Sequence, residues 1–253
     1  AVLVIAGDLA SCGGEAAVLA TVEGAFAAIP VFPTPPREAA QRNVAIPTDF
    51  PHEVVRLNRE KGEVPRLLLA LPAPAAGDPE RAAVELVSLL LSGGRASRLQ
   101  RALVDDGQLC AWVDADVSDH LDAGYFAIHA EAAPGVEPAR IEAALWAELA
   151  AFRRELQSAE EVQRAQQIAV ADWVFEHEKV HQQALAAAMS IALYTPDHIE
   201  RQLRALLEVD SEQAAAAAER WLDPERGCVL GWSLPSPDSD ATENEDDAEP
   251  FEA

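Results

Sequence analysis

His177, Glu178 and His181, in the run HEKVH at 177–181, are the residues whose types and spacing could do chemistry. On a continuous helix, positions four apart share a face. The two imidazoles would then hold one zinc ion, with Glu178 beside it to take a proton from bound water. That arrangement would make an independent zinc hydrolase. A catalytic zinc of this kind takes a third protein ligand, and the extended form of the motif fails because Ala184 and Ala187 stand where Gly and the third His would be. Glu200, on the following predicted helix, is a conceivable third ligand without a supporting pattern. So short a motif also arises by chance in a chain with six His and 43 acids. Two readings stay open: a structural helix feature without ligands, or zinc held by His177 and His181 with Glu178 as general base.

The elements that must position these residues read as follows. AVLVIAGDL is short, β-branched and closed by Gly7-Asp8, which predicts a buried strand; Glu15 to Ile29 repeats apolar residues at helical spacing, ended by Pro30. The Pro-rich stretch 31–50 reads as a linker. Strands follow at 53–58 and 64–74, the second apolar enough to lie centrally in a sheet. Asp78 and Pro79 should open a helix that Gly93-Gly94 stop, and ASRLQRALVDD a shorter one ending at Gly107. LCAWVDADVS and AGYFAIHAEA alternate around the turn DHLD, which predicts a hairpin.

Beyond it the chain is helical: a helix from Val136, then one long helix from Ser158 to about Leu193 carrying HEKVH, with Ser158 and Glu161 as a capping box. Helices at 196–207 and 211–222 and a strand at 227–234 complete the order. The fold class is α+β, with helices packed on one side of a mostly antiparallel sheet. Trp112, Trp146, Trp173 and Trp221 read as core.

Net charge is −24, from 19 basic and 43 acidic residues, the wrong sign for neutralising phosphates, so nucleic acid and anionic membrane are excluded as partners. Residues 235–253 hold eight of those acids and no base, which reads as a solvated, disordered tail. No stretch reaches the roughly 18 to 20 apolar residues of a membrane span. Cys12, Cys110 and Cys228 form no CxxC pair and read as buried thiols. AVLVIAGD looks like a cut inside a longer protein. Any targeting segment is expected upstream, so the sequence does not decide between periplasm and cytoplasm.

Several segments together resemble the insulinase-like (pitrilysin-type) zinc metallopeptidases. AVLVIAGDL with a helix and an Ile-Pro is similar to the end of one family domain. Leu91-Ser92-Gly93-Gly94, Ser97-Arg98-Leu99, the next helix and the hairpin are similar to the opening of the domain that follows it. The resemblance covers about residues 1–234 and implies a two-layer αβ roll of the mitochondrial-processing-peptidase-like metallohydrolase type. It divides the chain into the end of a preceding domain (1–30), the linker, and a second, non-catalytic roll (51–234).

The family's zinc site is an inverted motif, HxxEH, in its first domain, and none of His52, His120, His129, His177, His181 and His198 fits it. The resemblance therefore implies no catalytic residues and no metal in this chain. It implies zinc on a catalytic domain or subunit carrying HxxEH, and a peptide substrate enclosed between the two. It further implies substrate contacts at Gly93, Gly94, Arg95, Ser97 and Arg98, in a turn resembling a short glycine-rich loop of the mitochondrial processing peptidase's non-catalytic subunit. Tyr125 is a candidate for the Tyr of a family Arg and Tyr pair that holds substrate backbone, with no matching Arg placed in this sequence; its alternative reading is core or edge packing. As plain structure, the same two glycines merely end one helix and let the next start close by. A third reading is a degenerate family member kept as a binding or assembly module.

Overall fold

The computed structural model describes residues 2–30, 64–118, 120–121 and 124–235, and the backbone of 52–59. The linker and the acidic tail expected from the sequence lie outside the described residues, apart from Pro235. Five strands form one sheet: β1 (His52–Arg59), β2 (Arg66–Ala73), β3 (Cys110–Val117), β4 (Gly124–Ala132) and β5 (Cys228–Pro235). Their order is β1-β5-β2-β4-β3, parallel between β1 and β5 and antiparallel elsewhere. β2 is central, as its apolar run predicts.

Burial alternates with a period of two. Leu67, Leu69 and Leu71 are buried while Leu68 is exposed, because neighbouring side chains of a strand point to opposite faces. Phe126 and Ile128 of β4, Val113 and Ala115 of β3, and Leu230 and Trp232 of β5 join the buried face. Helices cover it: α2 (Arg81–Ser92), α3 (Pro138–Phe152), the first half of α4 (Ala159–Glu176), the end of α6 (His198–Glu208), and α7 (Ser211–Trp221). Each buried Leu contributes about 1.5–3 kcal/mol, so this one interface accounts for most of the stability. The architecture is α+β in two layers.

Polar side chains fix how the layers sit. Ser92 Oγ accepts from the Ala115 N–H at 2.9 Å, and Arg81 donates to the Val117 and Ser118 carbonyls, so α2 occupies part of the free edge of β3. Gln166 Nε2 donates to the carbonyls of Leu206, Leu207 and Val209, groups that the end of α6 would otherwise leave unpaired. Glu80 accepts from Trp221 Nε1 and Arg220, tying α7 to the start of α2.

Several expectations need correction. Residues 2–6 form no strand, and Val2, Leu3 and Ile5 are 41–58% exposed, since no sheet edge within the described chain receives them. The helix after them, α1 (Glu15–Phe26), forms as expected but buries none of its residues. α2 begins at Arg81, because Asp78 bonds the Glu80 N–H in a turn before the helix rather than capping it. The long helix from Ser158 breaks at His177–Lys179 into α4 and α5 (Val180–Leu193). Finally, Trp112 is 42% exposed on the open face and Cys12 is exposed; Trp146 and Trp173 are half-buried, and Trp221 is core.

The capping box at α4 is present in full: Ser158 Oγ accepts from the Glu161 N–H at 3.2 Å, and Glu161 accepts from the Ser158 N–H at 2.9 Å. The Ser158 N–H and then its hydroxyl hold the Glu161 carboxyl below its ordinary pKa. A depressed carboxylate pKa adds stability above the unfolded value, and that stability disappears as pH falls through the folded one. Ser158→Ala should therefore cost about 1 kcal/mol at pH 7 in urea denaturation, and the gap to the parent should narrow below about pH 4.

Candidate functional site

α4 ends at Glu176, His177 follows as its C-cap, and Lys179 is extended at φ −97°, ψ 137° before α5 begins. His177 and His181 are therefore not one turn apart on a single helix, and the premise of a zinc-binding face fails. His177 is spent locally. Its Nδ1 lies 2.7 Å from the Trp173 carbonyl oxygen, and its ring stacks on the Trp173 indole at 4.5 Å. Gln183 Nε2 donates to the His177 carbonyl at 2.7 Å, which closes the break. Glu178 lies in the bend between the two helices and Glu200 in the first turn of α6. Among the described residues no three His, Cys, Asp or Glu side chains converge as a metal site. The residues present do not fit a catalytic zinc.

The turn after α2 joins Gly93, Gly94, Arg95, Ser97 and Arg98. A Cβ on Gly93 would lie 2.5 Å from the Leu89 carbonyl oxygen, and Gly94 has φ +76°, so both positions call for glycine on steric grounds. Ser97 is buried, with its hydroxyl donating to the Gly94 carbonyl at 2.7 Å. Arg98 pairs with Glu155 and Glu148 and lies over the Phe152 ring. Arg95 reaches solvent, 3.9 Å from Asp105. Tyr125 stands apart from this turn. It is 45% exposed near the hairpin end, with its ring edge-on to His120. The sheet's open face continues beside it with the Asp116–His129 and Arg66–Glu131 pairs.

Burial pushes the Cys110 thiol up to about 11 and raises that of Cys228. Desolvation in both cases favours the neutral thiol over the reactive thiolate. Sequence reasoning missed an open cleft of about 650 Å³ among α2, α4, α5 and α6, lined by Arg81, Glu85, Asp172, Trp173, Glu176 and His177 among others. Asp172, Trp173 and Glu176 recur at helical spacing, a signal hidden while α4 and α5 read as one helix.

The profile of the family described as the Peptidase M16 inactive domain matches residues 1–169. The chain belongs to this family, the non-catalytic domain of insulinase-like zinc peptidases. Among solved structures, a protease from Helicobacter pylori is similar at TM-score 0.68 and 16% identity, over 75% of this chain and 45% of that one. An inactive peptidase domain from Bordetella parapertussis is similar at TM-score 0.63 and 24% identity, over 71% of this chain and 97% of that one. A peptidase M16 inactive domain from Pseudomonas fluorescens is similar at TM-score 0.59 and 20% identity, over 73% of this chain and 43% of that one. These likenesses establish the fold. The chain spans under half the length of the first and third. No curated protein matches it.

Purified chain should hold far less than one zinc per molecule by atomic absorption, and His177→Ala should leave that content unchanged. Stoichiometric zinc lost on His177→Ala would reinstate the hydrolase reading.

Proposed function

We propose that this chain is the substrate-enclosing, non-catalytic half of an insulinase-like zinc peptidase, inactive alone, and that it packs against a domain carrying HxxEH. The observation that supports this most is the N-terminal segment. Val2, Leu3, Ile5, Leu19, Phe26 and Ile29 are 41–58% exposed, and residues 2–30 bury none of their side chains. A run of apolar side chains this dense marks a surface that another protein covers. In this reading residues 1–30 complete the preceding domain, and residues 51–234 form the roll that closes over the peptide.

The chain's acidic balance, a net charge of −24, favours basic peptide substrates. Of the turn residues, Arg95 is available to a peptide, while the Ser97 hydroxyl bonds Gly94 and the terminal nitrogens of Arg98 pair with Glu148 and Glu155. Tyr125 offers its ring from the open sheet face. The zinc-bearing domain supplies the metal and the water-activating Glu; this chain supplies position and field.

Mixing purified chain with its HxxEH-bearing partner should restore peptidase activity that neither shows alone. It should also slow thiol labelling of Cys12, which is exposed in the N-terminal segment. Leu19→Asp with Phe26→Asp should abolish both effects while circular dichroism and melting of the chain stay unchanged. Full activity with the double variant would contradict the proposed packing.

A further inference from the structure

The cleft among α2, α4, α5 and α6 is not accounted for by packing on a zinc-bearing domain. Its volume, about 650 Å³, lies in the range of ligand-binding clefts. Leu89 and Leu206 and the α5 and α6 residues Leu185, Ile199 and Leu203 make it apolar on one side. Asp172, Trp173, Glu176 and His177 of the α4 end line it as well.

Three electrostatic features of this α4 end have the same sign. Asp172 and Glu176 are one turn apart on one face of α4, a like-charge pair that destabilises a helix. They fall toward the C-terminal end of α4, the end of the helix dipole that carries partial negative charge. The last turn of α4 contains no basic residue, and neither carboxylate has an ion pair among the described residues. The one arginine lining the cleft, Arg81, is buried with its guanidinium on Glu85 and on the Val117 and Ser118 carbonyls. The cleft is therefore shaped for an apolar body and charged for a cation.

We infer that this cleft binds a basic side chain of an extended peptide, an arginine or lysine flanked by apolar residues. Its ammonium or guanidinium would sit at Asp172 and Glu176, beside the Trp173–His177 stack. The neighbouring apolar residues would lie on Leu185 and Leu203. The inference rests on the reading above for the ligand being a peptide. Cleft binding needs no zinc-bearing domain and none of the residues 2–30, so the two readings fail separately.

The test is calorimetric titration of the intact 253-residue chain with a blocked peptide, acetyl-Ala-Leu-Arg-Leu-Ala-amide, and with its citrulline analogue, which keeps the shape without the charge. The arginine peptide should bind saturably, at least tenfold more tightly than the citrulline peptide, and more weakly as salt rises. Asp172→Asn with Glu176→Gln should reduce its affinity at least tenfold, whereas Glu160→Gln, at the other end of α4, should not. Circular dichroism and melting identify any variant that fails to fold; Leu185→Ala, which removes apolar contact from the cleft without adding charge, then provides the second test and should also weaken binding. No saturable binding of the arginine peptide, equal binding of the citrulline peptide, or unchanged affinity in the folded double variant would overturn the inference.

Discussion

One face of the sheet is covered and the other is not, and the rest of the molecule follows from that asymmetry. Leu67, Leu69 and Leu71 on the central strand are at most 2% exposed, with Phe126, Ile128, Leu230 and Trp232 beside them. A slip of one residue in the register of β2 would carry all three leucines to solvent. The helices then have little freedom: α2, α3 and α7 must present Leu86, Leu145 and Ala218 to that surface, each of them fully buried. Trp232 shows how polar groups are fitted into this layer, since its indole N–H reaches Glu142 of α3 at 2.6 Å while its ring is buried.

The helical layer weakens away from the sheet. In α4, Val162 and Ala165 are buried in the first half, and the second half buries nothing. Beyond the break at His177, α5 buries only Ser190 and leaves Val180, Leu185, Met189 and Ile191 exposed. The cleft forms where α4 departs from the core and α5 and α6 cover the gap. The Trp173–His177 stack lies at that departure, so the histidine that imitates a zinc ligand instead shapes one wall of the cleft. The N-terminal segment is the other poorly covered region. A domain stable through a single sheet-to-helix interface leaves both regions available for contacts outside the chain.

The parts of the fold that were legible in the sequence are those with a local chemical signature. Alternation gave the hairpin, a continuous apolar run gave the central strand, and Ser158 with Glu161 located the start of α4. Gly93-Gly94 gave the end of α2. Features that depend on the partner of a side chain were hidden. The break at His177–Lys179 contains no glycine or proline; it is held by Gln183 and by the Trp173 carbonyl, and neither bond leaves a periodic trace. Residues 2–6 have the composition of a strand, but pairing needs a second edge. Arg81 reads as a surface residue of a helix and is 3% exposed, because the carbonyls that receive it belong to a strand 36 residues away. The order of glycines, helix and hairpin identified the family well, while the cleft required knowing where α4 stops.

The central claim is that this non-catalytic domain acts by packing its N-terminal segment on a zinc-bearing domain. Hydrogen exchange of the backbone amides of α1, measured in the chain alone and with the HxxEH-bearing domain added, tests that claim most directly. The account predicts fast exchange across Glu15–Phe26 in the isolated chain and strong protection in the complex, with the amides of β2 and β4 protected in both. Unchanged exchange in α1 on forming an active complex would contradict it.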